Sequence, residues 1–376
     1  MFRRIGRRAW GSRAYRVLAI ESSCDDSAVC LIDRRPGAPP VLEDHLKATL
    51  NSAKDGGIIP IDAMAHHLEQ MGVVVQQILA KNNHPKVDLV CATQGPGMYS
   101  SLAAGLQLAK GLALAWQVPL IPVHHMLGHL LTPRFFQKNG YPEPEFPFLS
   151  LLASGGHTML VLSKSLYDHK ILVDTIDNPV GNSLDKCARF LGMRGNMLGK
   201  ELDDFVGDDS TIDFGVLPPK LDIPLALERE KKNVAKFSFA HFASLMPRIE
   251  HQFDLKTLAD QPAMFRRALG ARIQDAMFTH IIRKTRLALK GMDLHGMSLL
   301  CAGGVAANSR LRAQLVSQLE PLGVKVGFAS LQWCTDNALM IGWAGIEAYE
   351  AFGVPPNSIA ASPIAKWPLS ELRELM

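Results

Sequence analysis

No two of the six cysteines, Cys24, Cys30, Cys91, Cys187, Cys301 and Cys334, stand as C-x-x-C. That absence leaves out the zinc ribbon. So scattered a set also argues against a disulfide framework and points to a reducing compartment. Also missing is a long apolar run. The most membrane-like stretch, Met98 to Val123, is broken by Gln107, Lys110, Gln117 and Pro119, whereas a spanning helix needs about 20 consecutive apolar residues. It reads as a buried helix followed by a strand, with no membrane partner. Acid is missing from the first sixteen residues, MFRRIGRRAWGSRAYR, in which every formal charge is an arginine. That composition is the mark of a mitochondrial presequence, the alternative being a basic tail with affinity for nucleic acid. The whole chain is formally only +4. The leader accounts for more than that, so any basic surface elsewhere has to be local.

What is present is ample apolar material: 47% of 376 residues are hydrophobic. That is enough for one large core or two medium ones, and the length favours two lobes. The run VLAI (Val17 to Ile20) reads as a buried strand, ESSCDDS as a polar turn and AVCLID as the returning strand. A similar unit recurs as FLSLLA (Phe148 to Ala153), SGGHT (Ser154 to Thr158) and MLVLS, which suggests a duplicated architecture. A third unit is SLLCAGGVAANSRLR, in which a strand runs into Gly303 and Gly304 and a helix starts near Asn308. Strand, glycine pair and helix start let backbone amides approach a nucleotide, although such pairs also occur without a ligand. Pro133 to Pro147 reads as a linker, Asn196 to Lys236 as loops and short helices, and Ala263 to Lys290 as one long helix carrying Arg266, Arg267, Arg272, Arg283, Lys284 and Arg286.

The stretch HHMLGH puts His125 and His129 four apart, the spacing that turns two imidazoles to one face of a helix. Zinc peptidases write this as H-E-x-x-H, with the glutamate as general base. Here Met126 and Leu127 follow His125 and no acid intervenes, so a metal at this place has no base to activate water. A buried histidine pair is the structural alternative.

Taken together, VLAIESSCDDSAV, DGGIIP followed by His67, QGPGMYSSL, VHHMLGH, LLASGGHT, SLDKCARFLG, AGGVAANSRLR and CTDNALMIGWAG stand in order from residue 17 to about 346. In this series the chain resembles the tRNA N6-adenosine threonylcarbamoyltransferase family, once labelled O-sialoglycoprotein endopeptidases. With its arginine leader it is most similar to the mitochondrial members.

The resemblance implies an α/β fold of the actin, heat-shock-chaperone and sugar-kinase (ASKHA) type, two-lobed, with duplicated subdomains and a site in the interlobe cleft. The divisions expected are 1–16 as targeting segment, 17–146 with 337–376 as first lobe, and 147–336 as second lobe. It implies transfer of the threonylcarbamoyl group of threonylcarbamoyl-adenylate, made by a separate synthase, to the adenosine 3′ of the anticodon in tRNAs reading codons that begin with A. AMP is the other product.

By the same resemblance His125, His129 and Asp336 are metal ligands, for zinc or iron. Leu152, Ala153, Ser154, Gly155 and Gly156 wrap the adenylate phosphate and acyl group. Asp185 and Gly199 serve the ribose, Asn308 the nucleotide, and Asp25 the transfer step. Bottom-up alternatives are a helix cap for Asp336 and Asn308 and an exposed helix acid for Asp185. Departures from the family pattern are Leu127 in place of a glutamate, Asn182 in place of an acid, FSFAHFA (Phe237 to Ala243) without its lysine, and GNMLGKELD where a Pro-Gly-Gly-Pro is usual. Expected partners are tRNA, held by Arg229, Lys231, Lys232, Lys236 and the Arg266 to Arg286 helix, and a second copy of the chain. The expected location is the mitochondrial matrix. A small-molecule kinase of the same superfamily is the alternative function.

Overall fold

The computed structural model describes residues 13–52, 57–136, 144–195, 197–227 and 233–375. It falls into two compact units, the first of 1–50, 58–137 and 337–367, the second of 51–57, 138–336 and 368–376.

In the first unit, β1 (Tyr15–Glu21) and β2 (Asp26–Arg34) are nearly continuous apolar runs. Such runs suit strands covered on both faces. The edge strand β3 (Val41–Thr49) carries Glu43, Asp44, His45 and Lys47, charges that protect an edge from pairing with another chain. Helix α1 (Pro60–Lys81), β4 (Leu89–Gly95), α2 (Tyr99–Trp116), β5 (Leu120–His124) and α3 (His125–Phe135) follow. The stretch from Met98 to Val123 is indeed a helix and a strand. Among the described residues no helix is long and apolar enough to cross a membrane.

The second unit contributes β6 (Phe148–Ala153), β7 (Thr158–Ser163), β8 (His169–Asp174), α4 (Val180–Phe190), α5 (Leu198–Val206), α6 (Ala240–Gln252), α7 (Ala263–Leu289), β9 (Ser298–Ala302), α8 (Ser309–Leu319) and β10 (Lys325–Phe328). The chain then re-enters the first unit for α9 (Ala338–Phe352).

The two sheets have one topology. In the first the order is β3-β2-β1-β4-β5, and in the second β8-β7-β6-β9-β10. Each has an antiparallel three-strand meander and two parallel strands beyond its first strand. The core of the first unit packs Leu18, Ile20, Val29 and Leu31 against Met71, Val75 and Ile78 of α1 and Leu106 and Ala109 of α2. Its other face is covered by α9, which comes close because it presents glycines. A Cβ on Gly342 would lie 3.1 Å from the Ala19 Cβ, and one on Gly345 3.0 Å from the Cys91 Cβ. The larger core of the second unit gathers Leu149, Leu151, Leu160, Phe237, Phe239, Phe242, Met277 and Phe278.

Three expectations need correction. Tyr15 and Arg16 belong to β1, paired with Arg34 and Asp33, so the strand begins inside the segment expected to be leader; residues 1–12 lie outside the described ones. Pro133 lies inside α3, near its end. There the N–H it lacks costs little, and Thr132 Oγ1 donates to the Gly128 carbonyl at 2.8 Å. Residues 368–376 group with the second unit, where their short helical turns contact β8.

Candidate active site and metal centre

Three consecutive features explain HHMLGH. His124 caps α3: its Nδ1 accepts from the Met126 and Leu127 amides at 3.1 and 3.4 Å, so Nε2 carries the proton and donates to the Trp367 carbonyl at 3.1 Å. His125 and His129 then lie one turn apart, buried, with ring centroids 4.8 Å apart and edge to face. Between them Gly128 lets α9 approach, since a Cβ there would meet Met340 Cγ at 3.0 Å, and Arg134 of α3 pairs with Glu347 of α9 at 2.9 Å.

The start of α9 is capped by Asn337, whose side chain accepts from the Met340 amide at 2.9 Å. The cap is thus one residue past Asp336. The ligand atoms of His125, His129 and Asp336 all lie within 4.8 Å of one another. Two imidazoles and a carboxylate one helical turn and one cap away from each other form a donor set that fits a divalent ion of the borderline class. Leu127 faces the core, and no base accompanies the cluster along α3.

Glu21, a residue the sequence reading passed over, stands behind His125. It is fully buried. Its Oε1 accepts from the Ser23 amide at 2.6 Å, and its Oε2 accepts from Thr93 Oγ1 at 2.5 Å and lies 3.2 Å from His125 Nδ1. The only prior signal was the first letter of ESSCDDS.

That turn is tied down from several sides. His67 Nε2 donates to the Cys24 carbonyl at 2.9 Å and its Nδ1 accepts from Ser27 Oγ at 2.7 Å. Burial lowers the His67 pKa from its ordinary value, in keeping with a neutral ring. The Met98 amide donates to the Ser23 carbonyl at 2.9 Å. Of the two acids, Asp26 is taken up by Lys47 at 2.9 Å and by Thr49 Oγ1. Burial raises its pKa while Lys47 opposes the rise. Asp25 is half-buried, and its carboxylate has no hydrogen-bond partner among the described residues.

The remaining expected residues lie in the second unit. Leu152 and Ala153 are buried at the end of β6, so only their backbone can face a ligand. Ser154 Oγ accepts from the Gly156 and His157 amides at 3.3 and 3.0 Å, leaving Gly155 and Gly156 exposed at the tip. The turn rests on α4, where the Gly181 amide donates to the Ser154 carbonyl at 3.1 Å. A Cβ on Gly181 would lie 2.7 Å from the Gly155 amide. The turn after β9 rests on the same place. Gly303, at φ +97°, would put a Cβ 2.4 Å from the Ala153 carbonyl oxygen.

Asp185 and Gly199 are brought together: the Gly199 amide donates to Asp185 Oδ1 at 3.0 Å. Burial raises the Asp185 pKa, and that hydrogen bond together with Arg189 opposes the rise. Asp185 is therefore not a merely exposed acid. Asn308 does cap α8, its Oδ1 accepting from the Leu311 amide at 3.1 Å, which leaves the NH₂ end of its amide for another partner. Asp25 belongs to the other unit.

The expected basic helix divides. Arg266 donates to the Leu191 carbonyl at 3.0 Å, and Arg267 to the Val206 carbonyl at 2.6 Å. Arg272 lies over the Phe214 ring and Lys284 is buried. Arg266, Arg267 and Lys284 are thus engaged within the second unit, whereas Arg272 is exposed. Arg283, Arg286 and Lys290 remain exposed around a cavity of about 590 Å³. Lys236 is exposed too, while Arg229, Lys231 and Lys232 lie outside the described residues. In FSFAHFA the rings of Phe237, Phe239 and Phe242 are core.

Residues 43–343 match the family model for tRNA N6-adenosine threonylcarbamoyltransferase. This chain belongs to that family. It is 36% identical over 380 residues to the mitochondrial tRNA N6-adenosine threonylcarbamoyltransferase of Schizosaccharomyces pombe, covering 96% of this chain and 88% of that one. It is 32% identical over 363 residues to the Nitrosomonas eutropha enzyme of the same name, covering 95% and 99%. Among solved structures, full-length HypF in a phosphate- and nucleotide-bound form matches with a TM-score of 0.56 at 14% identity, over 90% of this chain and 47% of that one. At that identity the likeness concerns the fold alone, which is the duplicated α/β fold of ASKHA type. Family members are transferases acting on tRNA, and the described residues of this one include a cluster able to hold a metal ion.

Proposed function

We propose that the chain transfers the threonylcarbamoyl group of threonylcarbamoyl-adenylate to N6 of the adenosine 3′ of the anticodon, in tRNAs reading A-initial codons, and releases AMP. The observation that carries this reading to particular residues is the family match combined with the gathering of His125, His129 and Asp336. A zinc or iron ion bound there would polarise the acyl carbonyl and neutralise charge on the departing phosphate.

The other roles follow from what each group offers. The exposed tip of the turn at Gly155 and Gly156, with the backbone of Leu152 and Ala153, receives the phosphate and acyl group. Asp185 accepts from the ribose hydroxyls, held in place by the Gly199 amide. The NH₂ end of Asn308 donates to the nucleotide. N6 attacks the carbamoyl carbon, the bond from that carbon to the phosphate oxygen breaks, and AMP leaves with the electron pair. The proton shed by the amine goes to Asp25, whose carboxylate is not engaged in structure.

Exposed Arg283, Arg286 and Lys290, with Lys236, give tRNA a local basic surface on the second unit. We place the protein in the mitochondrial matrix, as a homodimer fed by a separate synthase. The name of the S. pombe relative and the arginine-rich first sixteen residues support that location. The kinase alternative asks for a hard ion among carboxylates and water, and two imidazoles serve such an ion poorly.

The test is transfer of label from threonine into mitochondrial tRNA, with an enzyme that makes the adenylate present. Label should enter only tRNAs reading A-initial codons and should be lost with His125→Ala or Asp336→Ala. Label in neither set, with the adenylate shown to be present, would end the proposal.

A further inference from the structure

We infer that Glu21 is a positioning residue for the metal centre, fixing the His125 ring so that Nδ1 faces the carboxylate and Nε2 is the ligating nitrogen. The inference rests on the metal reading above. An ionised carboxylate only accepts hydrogen bonds. With Glu21 Oε2 at 3.2 Å, the proton of a neutral His125 therefore sits on Nδ1, and the lone pair is on Nε2. Ser23 Oγ lies 3.1 Å from the same Nδ1 and steadies the ring in that plane. Next door, His124 has the opposite arrangement: Nδ1 accepts from two amides and Nε2 donates to a carbonyl, so neither nitrogen is left for an ion. Two adjacent histidines are thus sorted into a cap and a ligand by what each Nδ1 meets.

Glu21 is itself held rigidly. A fully buried carboxylate is costly unless donors converge on it. The Ser23 amide, Thr93 Oγ1 and His125 supply three. The carboxylate ends β1 and Thr93 lies in the neighbouring β4, so its position is set by the sheet rather than by a loop. Carboxylates placed behind ligating histidines fix ring orientation and raise ligand basicity.

The experiment measures zinc affinity of the full chain against a chromophoric chelator, with cobalt(II) absorption as a second readout, for wild type, Glu21→Gln, Thr93→Val and His129→Ala. Gln keeps the shape but places an NH₂ where one of the accepting oxygens was. The expected result is zinc binding weakened about 10–100-fold in E21Q, an altered cobalt spectrum, and a melting temperature of the metal-free protein close to wild type. T93V keeps the carboxylate and removes one donor to Oε2, so its loss should be smaller and in the same direction. Unchanged affinity and spectrum in folded E21Q overturn the inference. If E21Q does not fold, T93V decides by the same criterion. Should wild type and H129A bind zinc equally, the metal reading itself fails, which is a different outcome from a silent Glu21.

Discussion

His280 is buried on α7 with its ring 5.4 Å from that of Phe239 and 6.3 Å from that of Phe237, and its Nε2 accepts from the Ser238 amide at 3.1 Å. Burial, helped by Lys284, pushes its pKa from 6.5 down to about 4. Between those values the unfolded chain binds a proton that the native ring refuses, so stability falls as pH drops from about 6.5 toward 4. The loss is on the order of 3 kcal/mol across the window. Denaturant unfolding at several pH values should show a shallower acid decline in His280→Phe than in wild type, and parallel declines would disprove the assignment. At Asp185, replacement by Ala should raise KM for the adenylate about tenfold or more, as expected when a buried charged hydrogen bond to a ligand is removed. Initial rates against adenylate concentration would check it. At this scale the sequence was informative about residue type and silent about partners. The cluster able to hold a metal was visible as His-x-x-x-His and CTDN, yet which of Asp336 and Asn337 caps α9 depends on one residue of backbone geometry. Glu21 was invisible because its partner His125 is remote along the chain, joined to it only through β1 and α3.

Among elements, the turn after β9 is tightly constrained. Gly303→Ala would combine a positive φ with a Cβ driven against the Ala153 carbonyl, a backbone atom that cannot swing aside. The expected cost is about 2–4 kcal/mol, strain and overpacking together. Gly323→Ala, also at positive φ but with its nearest neighbour at 4.0 Å, should lose only about 1 kcal/mol. Thermal unfolding of the two variants, side by side, separates clash from backbone strain. Elements were legible wherever an apolar run met a polar turn, which is why both strand, turn, strand units and the long α7 could be read directly. Pro133 misled because proline marks breaks in general, whereas in the last turn of α3 the missing N–H is a small loss. Tyr15 and Arg16 misled because a basic, aromatic composition also describes a leader; burial of Tyr15 and pairing with Arg34 and Asp33 decide it.

For the molecule as a whole, the net charge is small, so any basic surface has to be local. Replacing Arg283, Arg286 and Lys290 together by Ala should weaken tRNA binding and flatten its salt dependence, by roughly 0.7–0.9 in log–log slope for each phosphate no longer neutralised. Filter binding at several salt concentrations would show it, and an unaltered slope would remove this surface from the tRNA interface. The duplicated topology was legible as two matching units, while the return of the chain to its first unit was carried by the family resemblance alone. That return has a bearing on biosynthesis. One face of the first sheet is closed by α9 and the cluster able to hold a metal includes Asp336, so residues 138–336 must be made before either is available. The contiguous second unit can bury its core first, while β1, β2 and β4 wait with Ala19, Ile32 and Cys91 uncovered. A ribosome or translocase delivering the chain from its N-terminus therefore holds an open, aggregation-prone half until nearly the last helix arrives, and the cluster of His125, His129 and Asp336 is assembled only once synthesis is almost complete.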